Sequence, residues 1–268
     1  MPPRVPTPSD FTSLSPLTVS LTFPSPPEST TAILILFHGL GDSETPFSNF
    51  AKNLSLPGVL AISVRGVSPL PPALLGLGPG DGPARNFHWG DDLRAGSSGD
   101  VLEEDVGFKT ATREVLGRLV KGVLVEKLGW ETRDILLFGF GQGGSFALGL
   151  ASLVREGLNV VAGGRVVEVG AEGGKEFKGV VSVGGGLLGS TVPTTAGTGK
   201  KEKSRTKALV LCGRESESVD GFAEGVLNEE FESVKVVRWK RPDDGMPGSR
   251  EEVLPMMEFF AERLRSGW

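Results

Sequence analysis

Hydrophobic residues along the chain fall into short blocks separated by polar and glycine-rich stretches. The segment Thr18–Phe23 alternates apolar and polar positions with a period of two, which predicts an edge strand. Continuous apolar runs are typical of strands that are buried on both faces of a sheet. Such runs lie at Ala32–Phe37, Val59–Val64, Ile135–Phe138, Val180–Val183, Ala208–Leu211 and Val234–Val237.

Segments with helical spacing lie between these predicted strands. One helix is expected to begin near Ser43 or Thr45 and to stop at Pro57-Gly58, where proline and glycine end the helical pattern. Further helices are predicted at Val101–Leu128, from Gln142 to about Arg155, and at Arg250–Leu264. Because strands and helices alternate, the sequence predicts an α/β protein with a mostly parallel sheet and helices on both faces.

The remaining stretches predict loops and a tail. Residues 68–99 are rich in Pro, Gly and Ser, and we expect a long surface loop that carries the patch Asn86–Asp92. Residues 162–174 and 190–205 are glycine-rich or lysine-rich and are interpreted as loop insertions, with Lys200–Lys207 facing solvent. We expect residues 1–16 to form a flexible, proline-rich N-terminus and residues 17–268 to form a single domain.

Composition narrows the class of partner. The formal net charge of −5 and the pI near 5.3 provide no basic face for nucleic acid or for an anionic membrane surface. A small neutral or acyl-bearing ligand fits this charge better. Cys212 is the only cysteine, so no internal disulfide can form. No apolar run reaches the roughly 20 residues of a membrane span, and the first residues lack the apolar segment of a secretory signal. We therefore expect a cytoplasmic protein.

The stretch DILLFGFGQGGSFA, residues 134–147, combines a strand, a glycine-flanked turn and a helix. This is the context of a nucleophile elbow. Together with LFHGLGD, residues 36–42, it resembles the phospholipase/carboxylesterase family, which includes acyl-protein thioesterases. The resemblance implies an α/β-hydrolase fold from about residue 17 onward and an ancestral activity on esters or thioesters.

The same resemblance implies a degenerate catalytic triad. The family's nucleophilic serine corresponds to Gly141, which has no side chain that can attack a carbonyl. The family's general base lies just before the last helix, where this chain has Met246 and Pro247, and we take Pro247 as the positional equivalent. The family's acid falls in the loop CGRESESVD, with Ser216 as our choice among the candidates Glu215, Ser216, Glu217 and Asp220.

The oxyanion hole does not require these side chains. The family builds it from two backbone N–H groups, which correspond here to Leu40 and Gln142. Because backbone donors do not depend on side-chain identity, an anion site can survive the loss of the triad. We therefore expect a non-catalytic or very weak hydrolase that binds an acyl or carboxylate ligand, or a protein partner.

The other candidate residues have supporting roles. We expect His38 to support the oxyanion loop, and His88 and Trp89 to lie on the cleft wall together with the Gly184–Leu188 loop. Ser145 lies one helical turn beyond Gly141 and is not interpreted as a nucleophile. No metal is expected, because a zinc site would need more His or Cys ligands than the chain supplies.

Two alternative functions stay open at this point. GFGQGG also fits G-x-G-x-x-G through Gly139, Gly141 and Gly144, which would indicate a dinucleotide-binding enzyme. No acidic residue follows about 20 positions later, where the ribose contact would lie, so we expect no cofactor. The second alternative is an active ester or thioester hydrolase that uses an unrecognised nucleophile.

Overall fold

The computed structural model describes residues 3–70, 85–91, 107–154, 158–162, 165–169, 174–192 and 202–265. Its strands are β1 Val19–Thr22, β2 Ala32–Phe37, β3 Val59–Val64, β4 Ser68–Pro69, β5 Phe87–His88, β6 Ile135–Phe140, β7 Leu158–Ala162, β8 Arg165–Val169, β9 Gly179–Val183, β10 Ala208–Cys212 and β11 Val234–Arg238. Its helices are α1 Glu44–Leu54, α2 Lys109–Glu114 with a π-helical continuation over Val115–Lys127, α3 Gln142–Leu153, α4 Gly221–Glu230 and α5 Arg250–Arg265.

The main sheet has seven strands in the order β1-β3-β2-β6-β9-β10-β11. Only β1 runs antiparallel to its neighbour, and the other five pairings are parallel. The strands β2, β3, β6, β9 and β10 are buried almost throughout, which explains their continuous apolar sequences. The mostly parallel sheet is confirmed, and each predicted strand is present with ends within two residues of the prediction.

Helices cover both faces of this sheet. On one face, Phe146 and Leu150 of α3 pack with Leu116 and Leu119 of the long helix against alternate strand positions such as Ile35. On the other face, Phe47 of α1 and Met256 and Phe260 of α5 pack against the intervening positions such as Leu36. Since successive side chains of a strand point to opposite faces, this alternation produces two hydrophobic cores. The predicted α/β-hydrolase architecture with helices on both faces is confirmed.

Part of the N-terminal segment packs against the domain. Pro8–Phe11 form a 3₁₀ turn, and Phe11 and Leu14 are buried. The buried Asp10 carboxylate accepts a hydrogen bond from Arg4 at 2.6 Å and lies 3.2 Å from the ammonium of Lys127. Two apolar anchors and one ion-paired carboxylate thus hold a segment whose proline content suggested a tail. The extent of a single domain over 17–268 stays a prediction.

The two predicted loop insertions differ from expectation. β7 and β8 form an antiparallel hairpin, so residues 162–174 include a strand and are not wholly a loop. Valine-rich runs on either side of Gly163-Gly164 are typical of a hairpin, a pattern that outweighs the glycine content. In the second insertion, residues 193–201 lie outside the described residues. Ser204 is buried and forms an isolated β-bridge with Phe231. The sequence analysis also missed α4.

Candidate active site

The turn between β6 and α3 has the geometry of a nucleophile elbow. Gly141 sits at its tip with φ 52° and ψ −121°, which is a sparsely populated conformation, and α3 begins at the next residue. The Gly141 N–H donates to the Val183 carbonyl at 2.8 Å, and the Gly141 carbonyl accepts from the Ser145 N–H at 3.0 Å. The elbow is therefore tied both to the neighbouring strand β9 and to the first turn of its own helix.

The glycines around the tip are packed against backbone, whereas Gly141 is not. A Cβ at Gly139 would lie 2.1 Å from the Gly143 carbonyl oxygen, and one at Gly143 would lie 2.3 Å from that of His38. A Cβ at Gly185 would lie 2.4 Å from the Gly141 oxygen. Nothing lies within 4 Å of a Cβ placed on Gly141 itself. Close packing therefore requires glycine beside the tip, but open space surrounds Gly141.

His38 supports the loop that precedes α1. Its Nδ1 donates to the Gly39 carbonyl at 2.7 Å and its Nε2 accepts from the Gly66 N–H at 2.8 Å, so the ring is neutral with its proton on Nδ1. The side chain is fully buried, and this desolvation lowers the pKa of His38. A ring with both nitrogens bonded to backbone fixes the loop and has no nitrogen left for a substrate.

A partly buried ion pair near His38 is not among the residues predicted from the sequence. Arg65 donates to both carboxylate oxygens of Glu44, at 2.8 and 2.6 Å, and its guanidinium lies 4.8 Å from the centre of the Phe87 ring. The Arg65 hydrogen bonds lower the pKa of Glu44 against the opposing effect of burial. The pair joins the start of α1 to the residue after β3 and so braces the loop that contains Leu40. Its 21-residue separation in sequence gives no local pattern that would reveal it.

Trp89 and His88 belong to the interior and do not form an open cleft wall, which corrects that expectation. The Trp89 ring is 0% exposed, stacks on Phe146 at 4.9 Å between ring centres, and donates from Nε1 to the His38 carbonyl at 2.8 Å. The backbone N–H of Trp89 donates to the side-chain oxygen of Gln142 at 2.9 Å. His88 is 5% exposed, and its Nδ1 has no partner among the described residues. Trp89 therefore supports the elbow from the interior through Gln142 and Phe146.

The two proposed oxyanion donors are available. Within the described part of the chain, the N–H of Leu40 donates to no acceptor. Gln142 is the first residue of α3, so the helix cannot satisfy its N–H. The Leu40 side chain is 43% exposed, which makes it one of the exposed large hydrophobic residues. One helical turn farther on, the Ser145 side chain is 6% exposed, and its hydroxyl makes no hydrogen bond to any described residue.

The loops expected to carry the acid and the base are bonded to each other. Ser216 donates from Oγ to the Asp244 carboxylate at 2.7 Å, and the Gly213 N–H donates to the other oxygen of that carboxylate at 2.7 Å. Asp244 also lies against Gly184, since a Cβ there would be 2.7 Å from the Asp244 Cβ. The carboxylate that joins these two loops therefore comes from the loop before α5. The sequence analysis did not single it out.

The loop around Pro247 carries no histidine. Its sequence is Gly245-Met-Pro-Gly-Ser, and the chain's only histidines are His38 and His88. Arg241 holds the loop in place by donating to the carbonyls of Gly245 and Met246, while its guanidinium lies 4.4 Å from the centre of the Trp239 ring. Proline has neither a titratable group nor an N–H, so this position can neither accept a proton nor donate a hydrogen bond.

Cys212 lies where the reactive thiolate is disfavoured. It is fully buried at the end of β10, and desolvation raises the pKa of its thiol to about 11. The reactive thiolate is therefore scarce at neutral pH. Among the described residues, no group of three or more His, Cys, Asp or Glu side chains is placed to hold a metal ion. In the same part of the chain, no helix is both long and apolar enough to cross a membrane.

Comparison with known proteins identifies the group to which this site belongs. The sequence profile of the phospholipase/carboxylesterase family matches residues 22–164, which is more than half of the chain. The chain belongs to the phospholipase/carboxylesterase family. The match contains both the HGLGD loop and the elbow, so the two motifs described above lie within the part of the chain that defines the family.

Individual relatives agree with this assignment. An uncharacterised hydrolase from Schizosaccharomyces pombe is 36% identical over 116 residues, which are 43% of this chain and 44% of that protein. Zea mays acyl-protein thioesterase 2 superposes with a TM-score of 0.63 at 16% identity, covering 92% of this chain and 99% of its own. A Bacillus cereus carboxylesterase gives 0.57 at 16% identity over 94% and 97% of the two chains. At such identities the two structures establish the fold alone.

Proposed function

We propose that this chain is a non-catalytic or very weak member of its family that binds a carboxylate or acyl ligand at the elbow. The observation that carries the proposal is Gly141, a residue without a side chain at the tip of a well-formed elbow with open space around it. The scaffold for a nucleophile is present, but the nucleophile is not. Ser216 and Pro247, our equivalents of the acid and the base, do not supply the missing chemistry.

Acyl transfer needs a nucleophile and a group that removes its proton. The two histidines are buried, and both ring nitrogens of His38 are engaged. The Asp244 carboxylate is occupied by Ser216 and Gly213 and has no imidazole to orient. The lack of a side chain at Gly141 and of an available imidazole supports the proposal that the ordinary route through an acyl-enzyme is not used.

Binding needs less than chemistry does. The N–H groups of Leu40 and Gln142 and the positive end of the α3 dipole together favour a negatively charged oxygen at the elbow. The Ser145 side chain, without a partner among the described residues, lies one turn along the same helix, and the Cα–Cβ bond of a helical residue tilts toward the helix N-terminus. The ligand is a carboxylate or acyl compound, with a protein partner as the other candidate, and we place the protein in the cytoplasm.

The dinucleotide alternative has less support. After α3 the chain returns to the sheet as β9, next to β6, and ends there in Val183-Gly184-Gly185-Gly186. A carboxylate is needed at this strand end to bind the ribose, and these four residues carry none. The match to the phospholipase/carboxylesterase profile across the HGLGD loop also favours a hydrolase ancestry.

Hydrolysis and labelling test the loss of chemistry. We expect turnover of p-nitrophenyl esters and palmitoyl thioesters near background, with residual catalysis of up to about 10³–10⁴-fold over water from the oxyanion donors. A fluorophosphonate probe should not label the parent, because labelling requires an activated nucleophile. Turnover of about 1 s⁻¹ or more, abolished by one substitution at the site, would instead establish the active hydrolase with an unrecognised nucleophile.

Calorimetric titration with octanoate tests the binding site. We expect saturable binding of octanoate and none of 1-octanol, which lacks the anion. Gly141→Glu places a competing carboxylate at the tip, whereas Gly141→Gln has the same backbone cost and no charge. Octanoate should bind the Gln variant more tightly than the Glu variant. If octanoate does not bind the parent at millimolar concentration, the carboxylate-binding proposal fails.

A further inference from the structure

A pocket lies at the end of the sheet opposite to the elbow. It has a volume of about 470 Å³ and lies where the chain enters β6, β9 and β10. Five cationic side chains line it, from Arg133, Lys178, Arg205, Lys207 and Arg263. Because β6, β9 and β10 are parallel, their amino ends face away from Gly141. This volume is within the range of pockets that hold small molecules.

The five cations around this pocket are matched in number by five nearby carboxylates, but they differ in whether they form ion pairs. Each arginine is paired with a glutamate: Arg133 with Glu131, Arg205 with Glu202 at 3.0 Å, and Arg263 with Glu262. The ammonium groups of Lys178 and Lys207 have neither an ion pair nor a hydrogen bond among the described residues. Two carboxylates, Asp134 and Glu176, also line the pocket, and that of Asp134 accepts the Glu131 N–H at 3.1 Å.

The two lysines without partners are close together along the sheet. The Val180 N–H donates to the Lys207 carbonyl at 2.9 Å, so Lys207 lies beside Gly179 at the start of the neighbouring strand, and Lys178 is offset from it by one residue. Their placement is notable in a chain with a net charge of −5.

We propose that this pocket binds a small ligand that carries a di- or triphosphate. An extended polyanion can contact both lysines at once, and the nearby arginines present planar donors that suit phosphate oxygens. A single phosphate would span fewer of these groups. The pocket is separated from the elbow by the length of the strands, so the proposal does not depend on the function assigned to Gly141.

Calorimetric titration with tripolyphosphate at about 20 mM NaCl tests the proposal. We expect saturable 1:1 binding that weakens at about 200 mM NaCl, since salt screens contacts of this kind, and weaker binding of inorganic phosphate. Each lost charge-assisted contact costs about tenfold in affinity, so Lys178→Gln with Lys207→Gln should lose about a hundredfold. The single variants, each expected to lose about tenfold, keep the test available if the double variant does not fold.

A charge-matched control separates a defined pocket from general attraction to cations. Lys109→Gln with Lys235→Gln removes the same charge from exposed positions that do not line the pocket, and it should leave the affinity within about twofold. Equal losses in the two double variants, or no saturable heat with the parent, would overturn the proposal. Gly141→Glu should leave tripolyphosphate binding unchanged, which distinguishes this pocket from the elbow.

Discussion

The stability of glycine variants measures the strain at the elbow directly. Gly141 has φ 52°, a value that side chains rarely adopt, but nothing lies within 4 Å of a Cβ placed there. The cost of Gly141→Ala is therefore conformational and not steric, and such a residue costs about 1–3 kcal/mol. For a domain of this size, this corresponds to a fall in melting temperature of roughly 2–4 °C per kcal/mol.

Two further glycine substitutions provide a scale for this cost in stability. Gly143→Ala would place Cβ 2.3 Å from the His38 oxygen and 2.5 Å from the Phe37 oxygen, so it should cost more than Gly141→Ala and can prevent folding. Gly225→Ala lies inside α4 with open space and no positive φ, so it should stabilise the protein by about 0.5–1 kcal/mol. Substitution at Gly141 therefore reports backbone strain, at Gly143 a steric clash, and at Gly225 helix propensity.

Urea denaturation of the parent and the three variants gives the free energies of unfolding. We expect the order Gly225→Ala, parent, Gly141→Ala, Gly143→Ala, from most to least stable. Gly141→Ser should behave like Gly141→Ala, because the same backbone conformation is imposed on both. If Gly141→Ala is within about 0.5 kcal/mol of the parent, the elbow stores no strain at this position and the reasoning is refuted.

Three further predictions concern the residues around the elbow. Burial lowers the pKa of both histidines from 6.5, so the unfolded chain binds protons below pH 6.5 that the folded chain does not bind. The free energy of unfolding should therefore be highest above pH 6.5 and should fall toward pH 5. Urea denaturation curves that do not change over this range would contradict the prediction. Arg65→Met leaves the buried Glu44 carboxylate without its partner and should lower the free energy of unfolding, measured by urea denaturation, by about 2 kcal/mol. As a control, Lys240→Met breaks the exposed pair with Glu251 and should lower it by about 0.5 kcal/mol or less. Ser145→Ala should weaken octanoate binding about fivefold in calorimetry, and an unchanged affinity would remove its hydroxyl from the site.

The main elements of the fold could be predicted because their sequence patterns are local. A strand buried on both faces, such as Ala32–Phe37, is a continuous apolar run, and its ends were predicted to the residue. The burial of Phe11 and Leu14 could not be predicted, since these two apolar anchors are isolated within the proline-rich first 16 residues. The helix α4 has two glycines and few buried residues, so its amphipathic pattern is weak.

The candidate site was predictable only where a motif is contiguous. The elbow and the HGLGD loop are short motifs, and both lie where expected. Contacts between distant segments could not be predicted, because nothing in the local sequence records them. Asp244 bonds to Ser216 across 28 residues, and Glu44 bonds to Arg65 across 21 residues. Burial of Trp89 likewise depends on Phe146, which lies on a different element.

The packing of the elbow has an evolutionary consequence. Of the glycines at 139, 141, 143 and 185, only Gly141 has room for a side chain, so it is the one position where serine and glycine can be exchanged without a clash. A single substitution there can remove the nucleophile while relaxing the backbone. Under the proposed function, a change from hydrolase to binding protein would therefore be downhill in folding free energy. The reverse change, from glycine to serine, would place a side chain in the strained backbone conformation and would also need a base.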